Sequence, residues 1–400
     1  MLTVDTELDD LLHRLARVEP TTTPVISLYL NAQADERGRD RFARFLQDEL
    51  RDRVRGFRGN SGIKASLERD VARIDAYLTS ELRSHTNGVA IFSRAETGLF
   101  EALQIDAPFP RHQLHLADVP HLYPLALVSD QFPRYAALIA DTNTARILVF
   151  ALNRRVDTTV VENEKTRRTS GSGWSQARFQ RHVDEHRLQH AKEVVARLDE
   201  IVRADDISQI VVGGDDVIVP LLRAQFPPHL ASLVIDTLPI DITTPDHEVL
   251  GRTLQAVRQN DARSDQTIAQ QAFDAHAAGG LGVVGVKDVR RALELGQVHV
   301  LLLTAAALPD GIVAGPAAPK KQHSGTNGGA NGGANAAGLT DDRIMREEVS
   351  NELIALARQT DAEIRFIEDP ALLRDAGGAA ALLRFRLNLP ATKTAGSSAS

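Results

Sequence analysis

Between Tyr135 and Asp236 the chain alternates short apolar runs of β type with stretches of helical period, and this alternation limits the fold more than any other feature. Tyr135–Ala140 and Ala145–Leu152 read as strands around the turn Asp141-Thr142-Asn143-Thr144, and a third strand ends near Val161. A loop from about Glu162 to Ser175 follows. A helix then runs from about Gln176 to Arg203, its apolar set Phe179, Val183, Ala191, Val194, Val195, Leu198 and Val202 approximating one face. A strand at Ile207–Val212, a helix at Val217–Gln225 and a strand at Leu233–Asp236 complete the order β-β-β-loop-α-β-α-β. That order suits an α/β layer domain.

The flanking thirds are also mixed α/β. Ahead of the central segment, Pro24–Leu30 and Gly88–Phe92 read as strands, an arginine-dense stretch from Arg37 to Arg58 has helical spacing, and a second helix covers Leu67–Leu82. Beyond it, a helix spans about His247–His276, strands lie near Val283–Val286 and Val298–Leu303, and a helix at Val289–Leu295 ends on Gly296 in a cap position. The Gly-, Ala- and Asn-rich stretch Gly311–Gly338 cannot bury a core and reads as a mobile insert. A helix at Asp341–Arg358 and strands at Glu363–Ile367 and Ala381–Leu387 resume the domain. The expected division is an N-terminal α/β domain over 1–129, a central domain over 130–246 and a C-terminal α/β domain over 247–390. A disordered tail follows at 391–400.

With 400 residues, 43% of them hydrophobic, the chain is long enough for two or three domains. The absence of cysteine excludes disulfide scaffolds, thiolate zinc sites, cysteine nucleophiles and iron–sulfur clusters. No stretch reaches the ~20 apolar residues that span a bilayer, and Met1-Leu2-Thr3-Val4-Asp5 lacks the order of a signal peptide, so a soluble, cytoplasmic protein without a membrane partner is expected. A net charge of −7 argues against indiscriminate nucleic-acid coating, yet the charge is unevenly spread. Arg37–Arg58 holds eight arginines against four acids, and a solvated helix face explains this as well as rRNA contact does.

Gly280-Leu281-Gly282-Val283-Val284-Gly285 satisfies the dinucleotide fingerprint as a string, but a helix precedes it and a strand runs through it, so it reads as a glycine entry to a strand. His182-Val183-Asp184-Glu185-His186 matches a zinc-peptidase pattern without an evident third ligand. Arg178, His182, His186 and His190 read instead as a drifting polar stripe, solvated or facing RNA, and no metal or cofactor is expected. The segment Lys165–Arg181 is the most informative. It carries Lys165, Arg167, Arg168, Arg178 and Arg181 without one acid, and between them lie Gly171, Gly173, Trp174 (the only tryptophan), Ser175 and Gln176. A glycine-containing tip flanked by cations suits entry into a phosphate-lined space, with Trp174 stacking on a base or anchoring the loop.

Gly171–Arg187, with Arg178-Phe179-x-Arg181, Glu185 and Arg187, resembles the loop and helix of the archaeo-eukaryotic class-one peptide-chain release factors, the Pelota-like superfamily. There a Gly-Gly-Gln loop precedes a helix with Arg-Phe-x-Arg. Val25–Leu30 and Asn87–Phe92 look like strands of that family's N-terminal domain, and Gly285–Leu303 with Gly377–Arg386 look like its C-terminal domain. The chain is most similar to bacterial members related to peptidyl-tRNA hydrolases of ribosome quality control.

The resemblance implies an α/β protein of three-domain, release-factor-like architecture. Its central domain is RNase H-like, with a catalytic loop at 165–176, and its C-terminal α/β domain resembles kink-turn RNA-binding ribosomal proteins. It implies ester hydrolysis on ribosome-bound peptidyl-tRNA, with Gln176, Gly173 and Ser175 as the catalytic set. Lys165, Arg167, Arg168, Trp174, Arg178 and Arg181 would contact large-subunit rRNA, and a translational GTPase is a further possible partner. The loop reads Gly173-Trp174-Ser175-Gln176, and an ungapped alignment sets Trp174 against the family glutamine, while a two-residue shift sets Gln176 there. Gly62-Ile63-Lys64-Ala65-Ser66 only partly resembles the Asn-Ile-Lys-Ser decoding motif, and a cysteine-containing decoding motif is impossible here. Codon-independent rescue or quality control is therefore expected. The alternative is a non-catalytic dormancy factor that occupies the ribosomal A site.

Overall fold

A computed structural model describes residues 4–33, 42–162, 176–305 and 335–386; at 4–5, 176–180, 182 and 335–346 it describes the backbone alone. Among the described residues, one compact unit takes in 4–263 and 335–341 and a second takes in 264–305 and 342–386. Among them, no helix is long and apolar enough to cross a membrane.

The first unit opens with α1 (Val4–Ala16), which buries Leu8, Leu11, Leu12 and Leu15. β1 (Val25–Asn31) follows, then α2 (Phe42–Phe45), a π-helical turn at Leu46–Leu50, α3 (Arg51–Gly56), α4 (Ser61–Ser80), β2 (Gly88–Arg94), β3 (Leu99–Ile105) and β4 (Gln113–Ala117). The four strands form an antiparallel sheet in the order β3-β2-β1-β4. One face packs Ile26, Leu28, Leu30, Val89 and Ile91 against Phe42, Leu46, Leu50 and Leu67 of the helices. On the other face the alternate residues Tyr29 and Phe92 meet edge to face. The helix expected over Leu67–Leu82 starts earlier, at Ser61, because the Asn60 side chain accepts a bond from the Ile63 amide and caps it. α5 (Tyr123–Gln131) runs through the position where a domain boundary was expected.

The same unit continues with β5 (Tyr135–Ala140), β6 (Thr144–Ala151), β7 (Arg154–Glu162), α6 (Gln176–Ala204), β8 (Ile210–Gly214), α7 (Ile218–Gln225), α8 (Pro228–Leu233), β9 (Val234–Leu238) and the start of α9 (Asp246–Ala277). Strand order is β7-β6-β5-β8-β9, with β5, β8 and β9 parallel and β6 antiparallel to its neighbours. This is the RNase H-like arrangement that the resemblance implied. Ala136, Leu138, Ile147 and Val149 of one face pack against Ala191, Val194 and Leu198 of α6. Toward α9, Tyr135 shares a 2.9 Å hydroxyl bond with Thr253, and the Arg258 guanidinium lies 5.0 Å over the Phe132 ring.

The second unit comprises the rest of α9, β10 (Gly282–Val284), α10 (Val286–Glu294), β11 (Val298–Thr304), α11 (Asn335–Gln359) from Asp342 onward, β12 (Glu363–Ile367) and β13 (Ala379–Leu383), with strand order β10-β13-β11-β12. Ala269, Ala272, Val300, Leu302, Ile367 and Ala380 form its core. The glycine-rich string at 280–285 is an entry to a strand, as expected. A Cβ at Gly282 would collide with the Ala272 carbonyl and the His276 amide of α9, so the close approach requires glycine. Its strand is shorter than expected, since Gly285 (φ 97°) turns the chain directly into α10. Gly296 (φ 65°) terminates that helix region as its cap position implied. α11 starts at Asn335, inside the stretch expected to be insert; residues 306–334 and the tail from 387 lie outside the described residues.

Candidate functional site

The geometry around the cationic segment is set by β7 and α6. β7 ends at Glu162, paired with Thr144, and α6 begins at Gln176; the loop expected between them lies outside the described residues. Gln176 is the first residue of the helix and Arg178 lies two residues on, both described by backbone alone. Lys165, Arg167, Arg168, Gly173, Trp174 and Ser175 lie outside the described residues. Arg181 is exposed.

Along α6 the first buried side chain among those described is His190. From there Ala191, Val194, Val195, Leu198, Ile201 and Val202 are core. Ahead of it run about 14 residues, ~21 Å at 1.5 Å per residue, in which no described side chain is buried. The core contacts of the helix thus lie in its second half; in its first half, the arm that opens with Gln176, Val183, His186, Arg187 and Leu188 are half-buried. Arg187 and Asp184, 3.8 Å apart, form a pair on that arm.

His190 departs from the polar stripe expected of Arg178, His182, His186 and His190. Residues four apart advance ~40° around a helix, so by 190 the stripe has rotated ~120° and enters the core. The ring is fully buried, and burial lowers its pKa against the raising effect of Glu193 and Asp141. Of the other two histidines, His186 is half-buried, and the side chain of His182 lies outside the described ones. Among the described residues no group of three or more histidines and carboxylates is placed to hold a metal.

A network that sequence reasoning missed ties the sheet to the start of α9. Arg146 donates to the carbonyls of Ile242 (2.7 Å) and Thr244 (2.8 Å) and to the Asp246 carboxylate, which also accepts from Arg155. One carboxylate at the start of α9 therefore ties β6 and β7 to the segment that follows β9. Its only sequence signal is an acid in the first turn of a helix.

Three of the eight arginines between Arg37 and Arg58 are engaged within the protein. Arg53 pairs with Glu49 (3.1 Å), Arg55 with Asp52 (3.1 Å) and Arg51 with Asp75 (2.8 Å), and Arg53 also donates to the Leu114 carbonyl. This favours the helix-face reading for that part of the stretch; Arg37, Arg39 and Arg41 lie outside the described residues. Gly62–Ser66 forms the first turn of α4, with Lys64 exposed and Ser66 buried.

Residues 120–258 match the family described as bacterial archaeo-eukaryotic release factor family 10. No curated protein matches the chain. Solved structures similar to it include the archaeal translation termination factor aRF1, at 16% identity over 96% of this chain and 99% of that one with a TM-score of 0.26. Ribosome-bound archaeal Pelota, described together with ABCE1, matches at 13% identity over 95% and 94%, TM-score 0.41. Pelota from Archaeoglobus fulgidus matches at 14% identity over 96% and 93%, TM-score 0.34.

Proposed function

We propose that this chain, whose residues 120–258 match bacterial archaeo-eukaryotic release factor family 10, acts on cytoplasmic ribosomes, hydrolysing the ester of peptidyl-tRNA without reading a stop codon. The observation that carries this reading is the α6 arm, which holds Gln176 some 20 Å beyond the first core residue of the helix. An arm of that length suits a reacting bond that lies deep in an RNA-walled space. Cations at 165, 167, 168, 178 and 181 would neutralise phosphates along the way.

In the proposed reaction a water oxygen attacks the ester carbonyl, the tetrahedral oxyanion collapses, and the bond to the tRNA 3′ oxygen breaks as that oxygen takes up a proton. Gln176 positions the water. Gly173 and Ser175 precede it directly in the chain, and the first amides of α6, which have no acceptor within the helix, supply donors and a positive dipole end near the developing negative charge. A translational GTPase is proposed as the delivery partner.

The test is release of labelled peptide from stalled ribosomes by the wild type and Gln176→Ala, with and without a stop codon in the A site. Release that is codon-indifferent and falls at least ~100-fold in the variant supports the reading. The position of Trp174 in an ungapped alignment favours a second reading, a non-catalytic occupant of the A site. Co-sedimentation with ribosomes and no ester cleavage by either protein would establish it.

A further inference from the structure

Strand β7 is an edge of the central sheet, without a second strand partner among the described residues. Six of its nine residues are exposed and the other three half-buried; Val160, at 54% exposure, is among the exposed large hydrophobics. Among the described residues, the backbone of 156–162 makes no hydrogen bond besides its ladder to β6. An edge of this kind is a template for another strand.

The register on β6 shows which residues share a face. Glu162, Val160, Thr158 and Arg155 pair with Thr144, Arg146, Leu148 and Phe150, alternate residues of β6 and hence one face. The irregularity between Val149 and Phe150 returns Arg155 to that face, where an unbroken alternation would have turned it away. The strand therefore carries at its beginning Arg155, which is 46% exposed and also donates to Asp246, an acid at its end and apolar and hydroxyl side chains between them.

We propose that β7 pairs antiparallel with β7 of a second copy of this chain, about a two-fold axis through Thr159. That register sets Glu162 opposite the second copy's Arg155, Val160 opposite Thr158 and Val161 opposite Asp157. No like charges face each other, and both exposed Val160 side chains gain a neighbour. A two-fold axis normal to the sheet requires opposed residues to share a face, and shifting the pair by one step per strand loses both ion pairs. Eight residues of strand span ~26 Å, too little for a standard interface on its own, so the dimer forms at ~10–100 µM.

Sedimentation velocity from about 1 to 200 µM reads the equilibrium. The wild type shows a monomer–dimer equilibrium, and Val160→Lys and Glu162→Arg, both at exposed positions, each weaken it at least ~10-fold. In this cysteine-free chain Thr159→Cys, on the axis, forms an interchain disulfide on mild oxidation, faster than Thr158→Cys. A monomer throughout, a dimer indifferent to both surface variants, or equal cross-linking at 158 and 159 overturns the proposal.

Discussion

His115 and His121 stack with ring centroids 3.6 Å apart and planes 16° apart. Burial pushes His115 down to about 4 and His121 to about 3, with Arg111 adding to both shifts. Between those values and the ordinary imidazole pKa near 6.5 the unfolded chain binds protons that the folded one excludes. The stability these rings contribute is therefore complete above about pH 6.5 and declines as pH falls toward 4. Thermal unfolding at pH 7, 6, 5 and 4.5 is expected to show a falling Tm, and His115→Leu a shallower slope. Two glycines give an opposed pair of outcomes. Gly282→Ala drives a Cβ into α9 backbone and is expected to destabilise by ~2 kcal/mol or more, whereas a Cβ at exposed Gly251, in the helical part of α9, meets nothing within 4 Å. Gly251→Ala is expected to stabilise by ~0.4–1 kcal/mol, read by chemical denaturation.

At the scale of elements, α6 should behave as two halves. Leu198→Ala empties a core position and is expected to cost ~2–5 kcal/mol. Glu185→Pro breaks the arm ahead of the core, so it should abolish peptide release while the Tm falls by only a few degrees. The bounds of α6 were readable to within one residue at its far end, because a long periodic helix announces itself and the preceding cationic stretch contains glycine and no acid. β3 and β4 were not readable. Leu99–Ile105 holds Glu, Ala, Leu and Gln, which favour helix, and its strand character comes from pairing with β2 along its whole length. Gln113–Ala117 is short and half-buried, so neither period has room to show. α5 was hidden for the opposite reason: Tyr123–Val128 is buried on all sides and carries no amphipathic signal. For the site, the loop's position was legible from composition, but the Arg146–Asp246–Arg155 tie was not, since it joins residues about 90 to 100 apart. His190 was misread because a four-residue spacing only approximates the helical period.

For the whole molecule the proposed function brings a net charge of −7 to a polyanionic particle. Uniform charge would repel rRNA at long range, so any affinity must come from cations gathered on one side. The segment from 165 to 181 supplies five, with no acid between them. The described N-terminal arginines at 51, 53 and 55 are already matched to carboxylates. Each phosphate neutralised releases counterion, and the logarithm of the binding constant falls with that of salt by ~0.7–0.9 per contact. Five contacts therefore give a slope near −4 for ribosome binding between ~50 and 200 mM salt. Replacing Lys165, Arg167 and Arg168 together by alanine should flatten it by ~2–3 and leave the Tm unchanged. The corresponding triple replacement of Arg51, Arg53 and Arg55 should do the reverse, lowering Tm through lost packing and ion pairing with little change in slope. Equal slopes for the wild type and the first variant would move the RNA-binding surface away from this segment, and with it the reason for placing the reacting bond at the end of α6.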